Sequence, residues 1–198
     1  MKKLTVLCDM DSIVTDFLQA WVDAINAKFN RKVQYDDVIH WDMAKVDKIK
    51  DINSGKIYGI MRKPMFFYDL KPLDGAIDTM QKIVRDGHDV RFLTTPANPH
   101  SAMEKLMWVD KYFPFIGSRN VILANDKPMV KGDVFIDDKP DHLEKYSVEW
   151  PNALVMTIEY PYNAHLKSNK NIVFTDRHNR TVAAWNLIYN NILIKSNQ

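Results

Sequence analysis

Five short apolar runs, at residues 4–8, 90–93, 121–123, 134–136 and 153–158, set the strongest limit on how this chain can fold. Each is shorter than a buried helix, and most of the intervals between them carry apolar residues at helical spacing. Residues 76–85 place Ile77, Met80, Ile83 and Val84 on one face, and Gly87 stops the pattern. Residues 101–111 bring Met103, Leu106, Met107 and Val109 together as an expected core face, with the two methionines read as core. A closing helix over 181–194 is expected on Val182, Trp185, Ile188, Tyr189 and Ile192. Strands that alternate with helices predict an α/β fold, a Rossmann-like parallel sheet with helices on both faces and right-handed crossovers.

Residues 16–71 interrupt that alternation. Phe17, Leu18, Trp21, Ala24, Ile25 and Phe29 predict a helix over 16–29, and Asp36 or Asp37 is placed to cap another that carries Val38, Ile39 and Trp41. From Trp41 to Phe67 the pattern is weakly helical, is broken by Gly55, Gly59 and Pro64, and holds no strand signal. The expected organisation is a catalytic core of residues 1–15 and 72–198, with residues 16–71 as a small all-helical cap inserted after the first strand.

The 198 residues suit one domain of ordinary size, and a net charge of +2 with scattered Lys and Arg gives no footprint for a nucleic-acid polymer or a membrane. Lys2 and Lys3 precede only five apolar or small residues before Asp9, too few for a signal-peptide core, so the expected compartment is the cytoplasm. The single cysteine, Cys8, lies inside the first apolar run and reads as a buried, inert thiol. The six histidines show no metal-ligand spacing, and none is assigned to catalysis.

Ligands of such sheets bind beyond the carboxyl ends of the strands. Three ends here carry polar clusters: Asp9-Met10-Asp11, then Thr94-Thr95, then Asp137-Asp138 with Lys127 ten residues ahead. Any one of them alone is ordinary surface chemistry. Four carboxylates at one sheet edge repel one another unless a cation joins them. A hard divalent ion such as Mg2+ takes one or two carboxylates and a substrate phosphate together. Threonine hydroxyls, a lysine ammonium and the N–H groups of Met10 and Asp11 would hold the phosphate oxygens, so the pattern points to phosphoryl transfer.

The Asp-x-Asp-x-x-x-Thr pattern of residues 9–15, followed in order by Thr94, Lys127 and Asp137-Asp138, resembles the haloacid dehalogenase superfamily of phosphatases. Within it, Asp16-Phe17, the run from Phe66-Phe67-Tyr68 to Asp74-Gly75-Ala76, and Phe92-Leu93-Thr94-Thr95-Pro96 are similar to the 5'(3')-deoxyribonucleotidases. Trp108 to Phe113, Ile136-Asp137-Asp138-Lys139-Pro140 and His178-Asn179-Arg180 extend the likeness. Many relatives have glycine where this chain has Ser12, and residues 30–62 match poorly.

That resemblance implies a Mg2+-dependent phosphatase acting on (deoxy)ribonucleoside 5'- or 3'-monophosphates. Asp9 would be the nucleophile that forms an aspartyl phosphate, and Asp11 the general acid and base. Asp9, Asp138 and the main-chain carbonyl of Asp11 would hold the metal, with Asp137 in support. Thr94, Thr95 and Lys127 would bind phosphate. Phe17, Trp41 and Lys139 are the candidates for base contact. The expected partner is a small-molecule nucleotide, and the exposed aromatics of the cap would suit a homodimer. A phosphosugar or another small phosphate monoester is the alternative substrate. A non-enzymatic phospho-receiver fits less well, because its lysine would follow the last acidic group rather than precede Asp137-Asp138.

Overall fold

The computed structural model describes residues 1–175 and 182–198. Six parallel strands form one sheet: β1 (Thr5–Cys8), β2 (Asp89–Thr94), β3 (Val121–Leu123), β4 (Val134–Ile136), β5 (Leu154–Ile158) and β6 (Ile172–Thr175). Their order across the sheet is β3-β2-β1-β4-β5-β6. Cys8 at the end of β1 stands opposite Phe92 of β2 and Ile136 of β4, so the polar residues that follow these strands emerge side by side. The strand order reverses between β1 and β4, the place where such sheets open a crevice.

Both faces of the central strands are buried, which is why their runs are mostly apolar rather than alternating. Val6, Cys8, Phe92, Val134 and Ile136 enter one hydrophobic cluster, and Leu7, Leu93, Phe135 and Val155 enter a second on the opposite face. Helices α3 (Ala76–Arg85), α4 (Pro99–Tyr112) and α6 (Val182–Ser196) cover the first face, and α5 (Pro140–Glu149) covers the second. Tyr146 of α5 stacks flat on Phe135 with ring centroids 4.0 Å apart. Gly75 (φ 86°) starts α3 where a Cβ would lie 2.8 Å from the Cα of Val182, so this position needs glycine for both backbone conformation and space.

The sheet has one strand more than the sequence reading, because Ile172–Thr175 is a short edge run without periodicity. Helix α5 was also missed, since its buried face mixes Leu143 and Tyr146 with His142 and Ser147. Helix α4 exists, but on a different face. Met103 and Met107, read as core, are 58% and 44% exposed, and Ser101, Glu104, Lys105, Trp108 and Val109 point inward. Hydrophobic periodicity puts charged residues in solvent, and here two of them are interior. The start of the closing helix at Thr181 and the run His178-Asn179-Arg180 lie outside the described residues.

Between β1 and α3 the chain holds α1 (Phe17–Phe29), α2 (Ser54–Tyr58) and several single turns, with no strand. The helix expected over Val38, Ile39 and Trp41 is absent. A single 3-10 turn at Tyr35–Asp37 takes its place and ends at Val38. The two crossings of this segment are stitched together: Asp16 N–H donates to Lys71 O at 2.8 Å and Leu73 N–H to Val14 O at 2.8 Å. Among the described residues, no helix is long and apolar enough to cross a membrane.

Candidate active site

Asp9 is the first residue beyond β1, buried beside Lys127, whose Nζ lies 2.7 Å from Asp9 Oδ1 and 2.7 Å from Asp137 Oδ2. Burial works to lower the Lys127 pKa, but Asp137 and Asp9 together push it up, so the ammonium stays charged. Asp137 is the mirror case: burial would raise it, yet Lys127 and His142 hold it at about 2. Its oxygens are occupied, Oδ2 by Lys127 with His142 Nδ1 at 3.4 Å, and Oδ1 by the Lys139 N–H at 2.8 Å.

Asp138 differs from its neighbour. Its Oδ2 accepts from Tyr162 Oη at 2.5 Å, whereas Oδ1 is buried with no hydrogen-bond partner. Burial first, then Asp9 and Asp137, drives its pKa well above the usual carboxylate range, and burial raises Asp9 as well. Carboxylate oxygens of Asp9, Asp137 and Asp138 all lie within 4.8 Å of one another. An orphaned buried oxygen in a crowd of carboxylates is the signature of a cation site. With Asp137 already neutralised by Lys127, Asp9 and Asp138 are the residues with oxygen to offer a metal ion.

Asp11 faces a residue that the sequence reading missed. Lys105, 1% exposed on the inner face of α4, sits 2.5 Å from Asp11 Oδ2 and donates to Thr94 Oγ1 at 2.9 Å. Because Thr94 Oγ1 accepts there, its own hydroxyl hydrogen remains for another acceptor. Thr95 is different, since its hydroxyl donates to Ala124 O at 2.7 Å. Its proton is committed, and only its main-chain N–H is left to offer an anion.

Ser12 adopts φ 60°, the left-handed region that glycine occupies freely. Its carbonyl accepts from Tyr160 Oη at 2.5 Å. Tyr160, Tyr162 and Asn163 form one brace after β5. Asn163 Nδ2 donates to Asp138 O at 3.1 Å, while its Oδ1 accepts from Tyr160 N at 2.8 Å. The available signal was the run Tyr160-Pro161-Tyr162-Asn163 directly after a strand, next to the strand that carries the acids.

Asp9, Asp11, Thr94, Thr95, Lys127 and Asp138 line a cavity of about 480 Å3, a size suited to a small metabolite. Its apolar wall includes Phe17, Phe67 and Trp41. Phe17 and Phe67 lie nearly parallel, centroids 6.1 Å apart, and Lys105 Nζ is 4.9 Å from the Phe67 ring. Trp41 is 40% exposed, meets Tyr162 edge-on at 5.4 Å, and has Lys139 Nζ 5.8 Å from its ring. Every site residue expected from sequence except Asp137 is on this wall, and Asp137 stands behind it, paired to Lys127. Cys8 is buried with its thiol pKa pushed well up by burial, as an inert thiol should be.

A family model described as 5' nucleotidase, deoxy (pyrimidine), cytosolic type C protein matches residues 2–194. A 5'(3')-deoxyribonucleotidase of Bacillus subtilis is 31% identical over 147 residues, 74% of this chain and 81% of that protein. The human mitochondrial 5'(3')-deoxyribonucleotidase is 30% identical over 146 residues, 71% of this chain and 64% of that protein. Among solved structures, one described as a predicted phosphatase from Clostridium acetobutylicum superposes with a TM-score of 0.61 at 13% identity, covering 98% of this chain and 100% of that one.

Proposed function

Because the chain belongs to the cytosolic type C deoxy (pyrimidine) 5' nucleotidase family of the haloacid dehalogenase superfamily, we propose that it is a Mg2+-dependent hydrolase of (deoxy)ribonucleoside 5'- or 3'-monophosphates that works through a phosphoaspartyl intermediate. Phosphoric monoester hydrolysis is the chemistry of this family. The observation that carries the reading is the asymmetry of the acids: Asp137 is locked to Lys127, while Asp138 keeps a bare buried oxygen beside Asp9.

The substrate phosphate enters with its oxygens against the Thr94 hydroxyl, the Thr95 main-chain N–H and Lys127. Asp9, Asp138 and the Asp11 carbonyl would hold Mg2+, which when bound would supply positive charge to offset the phosphate and the crowded carboxylates. An Asp9 carboxylate oxygen attacks phosphorus, and the phosphorus–oxygen bond to the sugar breaks. Asp11 passes a hydrogen to the departing sugar oxygen, then takes one from water as that water attacks the phosphoaspartate. Phosphate leaves, and Asp9 and Asp11 are restored.

Lys105 orients Asp11 from behind, and Asp137 keeps Lys127 aimed at Asp9. The 16–71 segment acts as a cap that shields these steps from bulk water and supplies the base wall. Phe17, backed by Phe67, and Trp41 offer stacking faces, which favours a nucleotide over a phosphosugar. Lys139 lies close to that wall. The test is phosphate release from a panel of nucleoside monophosphates and phosphosugars, with Mg2+ and with a chelator. Nucleotide turnover that needs the metal is expected. Metal-independent turnover, or preference for phosphosugars, overturns the proposal.

A further inference from the structure

One loop, the run Tyr160-Pro161-Tyr162-Asn163 after β5, holds both strand ends that carry the candidate metal ligands: Ser12, next to Asp11, and Asp138. Its two tyrosine rings stack with centroids 5.2 Å apart and planes 7° from parallel. Each ring also meets the 16–71 segment, Tyr160 against Tyr35 at 5.8 Å and Tyr162 against Trp41 at 5.4 Å. Asn163, 0% exposed, anchors the loop, since its Nδ2 lies 3.1 Å from Thr157 Oγ1 and from Ile158 O as well as from the Asp138 carbonyl.

Packing accounts for the rings but not for the Tyr162 hydroxyl, which donates to a single oxygen of Asp138, Oδ2, at 2.5 Å. Burial first, then the charge of Asp138, pushes Tyr162 well above the usual phenol range, so its hydrogen stays available to that oxygen. A bond of this kind stops a ligating carboxylate from turning. It commits Oδ2 and leaves Oδ1 buried and bare. Asp137 adds no further oxygen, because Lys127 and the Lys139 N–H occupy both of its own. A cation here meets few carboxylate oxygens, at fixed positions.

Resting on the Mg2+-dependent nucleotidase reading, we propose that Tyr162 is a positioning residue of the metal site, whose hydroxyl holds Asp138 as a one-oxygen ligand and so favours Mg2+ over Ca2+. Mg2+ takes few carboxylate oxygens and fills its octahedron with water and substrate phosphate. Ca2+ seeks about six to eight oxygens and readily takes both from one carboxylate. With Oδ2 spent on Tyr162, Asp138 does not supply the second.

The experiment measures Kd for Mg2+ and for Ca2+ by calorimetric titration of the nucleotide-free protein, in the wild type, in Tyr162→Phe and in Tyr146→Phe. Phe at position 162 keeps the ring between Tyr160 and Trp41 and removes only the hydroxyl. Tyr146 is the control, a buried tyrosine of α5 whose hydroxyl bonds to Val130 and Gly132 rather than to an acid. Tyr162→Phe should weaken Mg2+ binding by about tenfold, the usual size for losing a partner of a metal ligand, and weaken Ca2+ binding less, so the preference for Mg2+ falls. Tyr146→Phe should keep the wild-type preference. A Kd for Mg2+ in Tyr162→Phe within about twofold of wild type, equal loss of both ions, or the same shift in Tyr146→Phe overturns the assignment while leaving the nucleotidase reading in place. A wild type that binds no Mg2+ and turns over nucleotides without it overturns both.

Discussion

Glu104→Ala tests how α4 holds the cavity wall. Glu104 is 8% exposed, and its carboxylate accepts from the Met65 N–H at 2.8 Å and the Phe67 N–H at 3.0 Å. These bonds tie the 16–71 segment to the sheet-covering helix, at a point where Met65 takes φ 65°. Alanine removes both acceptors and leaves two amide donors in surroundings that exclude most water. An unsatisfied buried donor costs about 1–3 kcal/mol, so the pair amounts to about 2–4 kcal/mol with the half-open Met65 site at the low end. For a chain of this size that lowers Tm by roughly 5–15 °C. Phe67 backs Phe17 on the base wall, so KM for a nucleotide should rise while kcat changes little. Glu104→Gln, which keeps one acceptor oxygen, should fall between. Denaturant unfolding with steady-state kinetics on the same preparations reads both effects. If Glu104→Ala unfolds within about 0.5 kcal/mol of wild type with KM unaltered, the clamp does not position the wall.

Lys105→Met should fold, because the site is apolar on the Phe67 side, yet lose roughly tenfold or more in kcat as Asp11 and Thr94 lose their shared donor; a kcat within twofold of wild type would contradict the positioning role. Adding Mg2+ should raise the Tm of the wild-type protein and not that of Asp138→Asn, because the bare Oδ1 beside Asp9 is then an amide; equal shifts in both would place the metal elsewhere. His88 accepts from the Leu4 N–H at 3.2 Å through Nδ1, and burial lowers its pKa below 6.5 despite the opposing pull of Asp86. The folded chain therefore refuses a proton that the unfolded chain binds. Its contribution is full above pH 6.5 and is lost as pH falls below that toward the folded pKa. Denaturation midpoints at pH 8 and pH 5.5 should differ more in wild type than in His88→Gln, and parallel changes would contradict this.

Much of this fold was legible because a parallel sheet buried on both faces writes itself as apolar runs, and its ligands fall at run ends. Asp9, Asp11, Thr94, Lys127 and Asp137-Asp138 all lie at or just after such ends, and the structure gathers them. Lys105 and Glu104 were not legible. They occupy a helix face whose charge looks like solvent chemistry until the partners Asp11, Thr94, Met65 and Phe67, distant in sequence, are placed against it. The same holds for Tyr162 and Asn163, whose meaning comes from Asp138. Residues 30–62 were least legible, since single turns capped by Gln34, Asp42 and Asn53 leave no periodicity to read.

The most direct measurement is an acid-quenched single turnover of a deoxyribonucleoside monophosphate with Mg2+, followed by peptide mapping. A phosphoryl group on the peptide that contains Asp9, transient in the wild-type protein and absent from an inactive Asp9→Asn variant, is the expected result. Phosphate release by Asp9→Asn at the wild-type rate, or a phosphoryl group carried on another residue, would contradict the assignment of Asp9 as nucleophile.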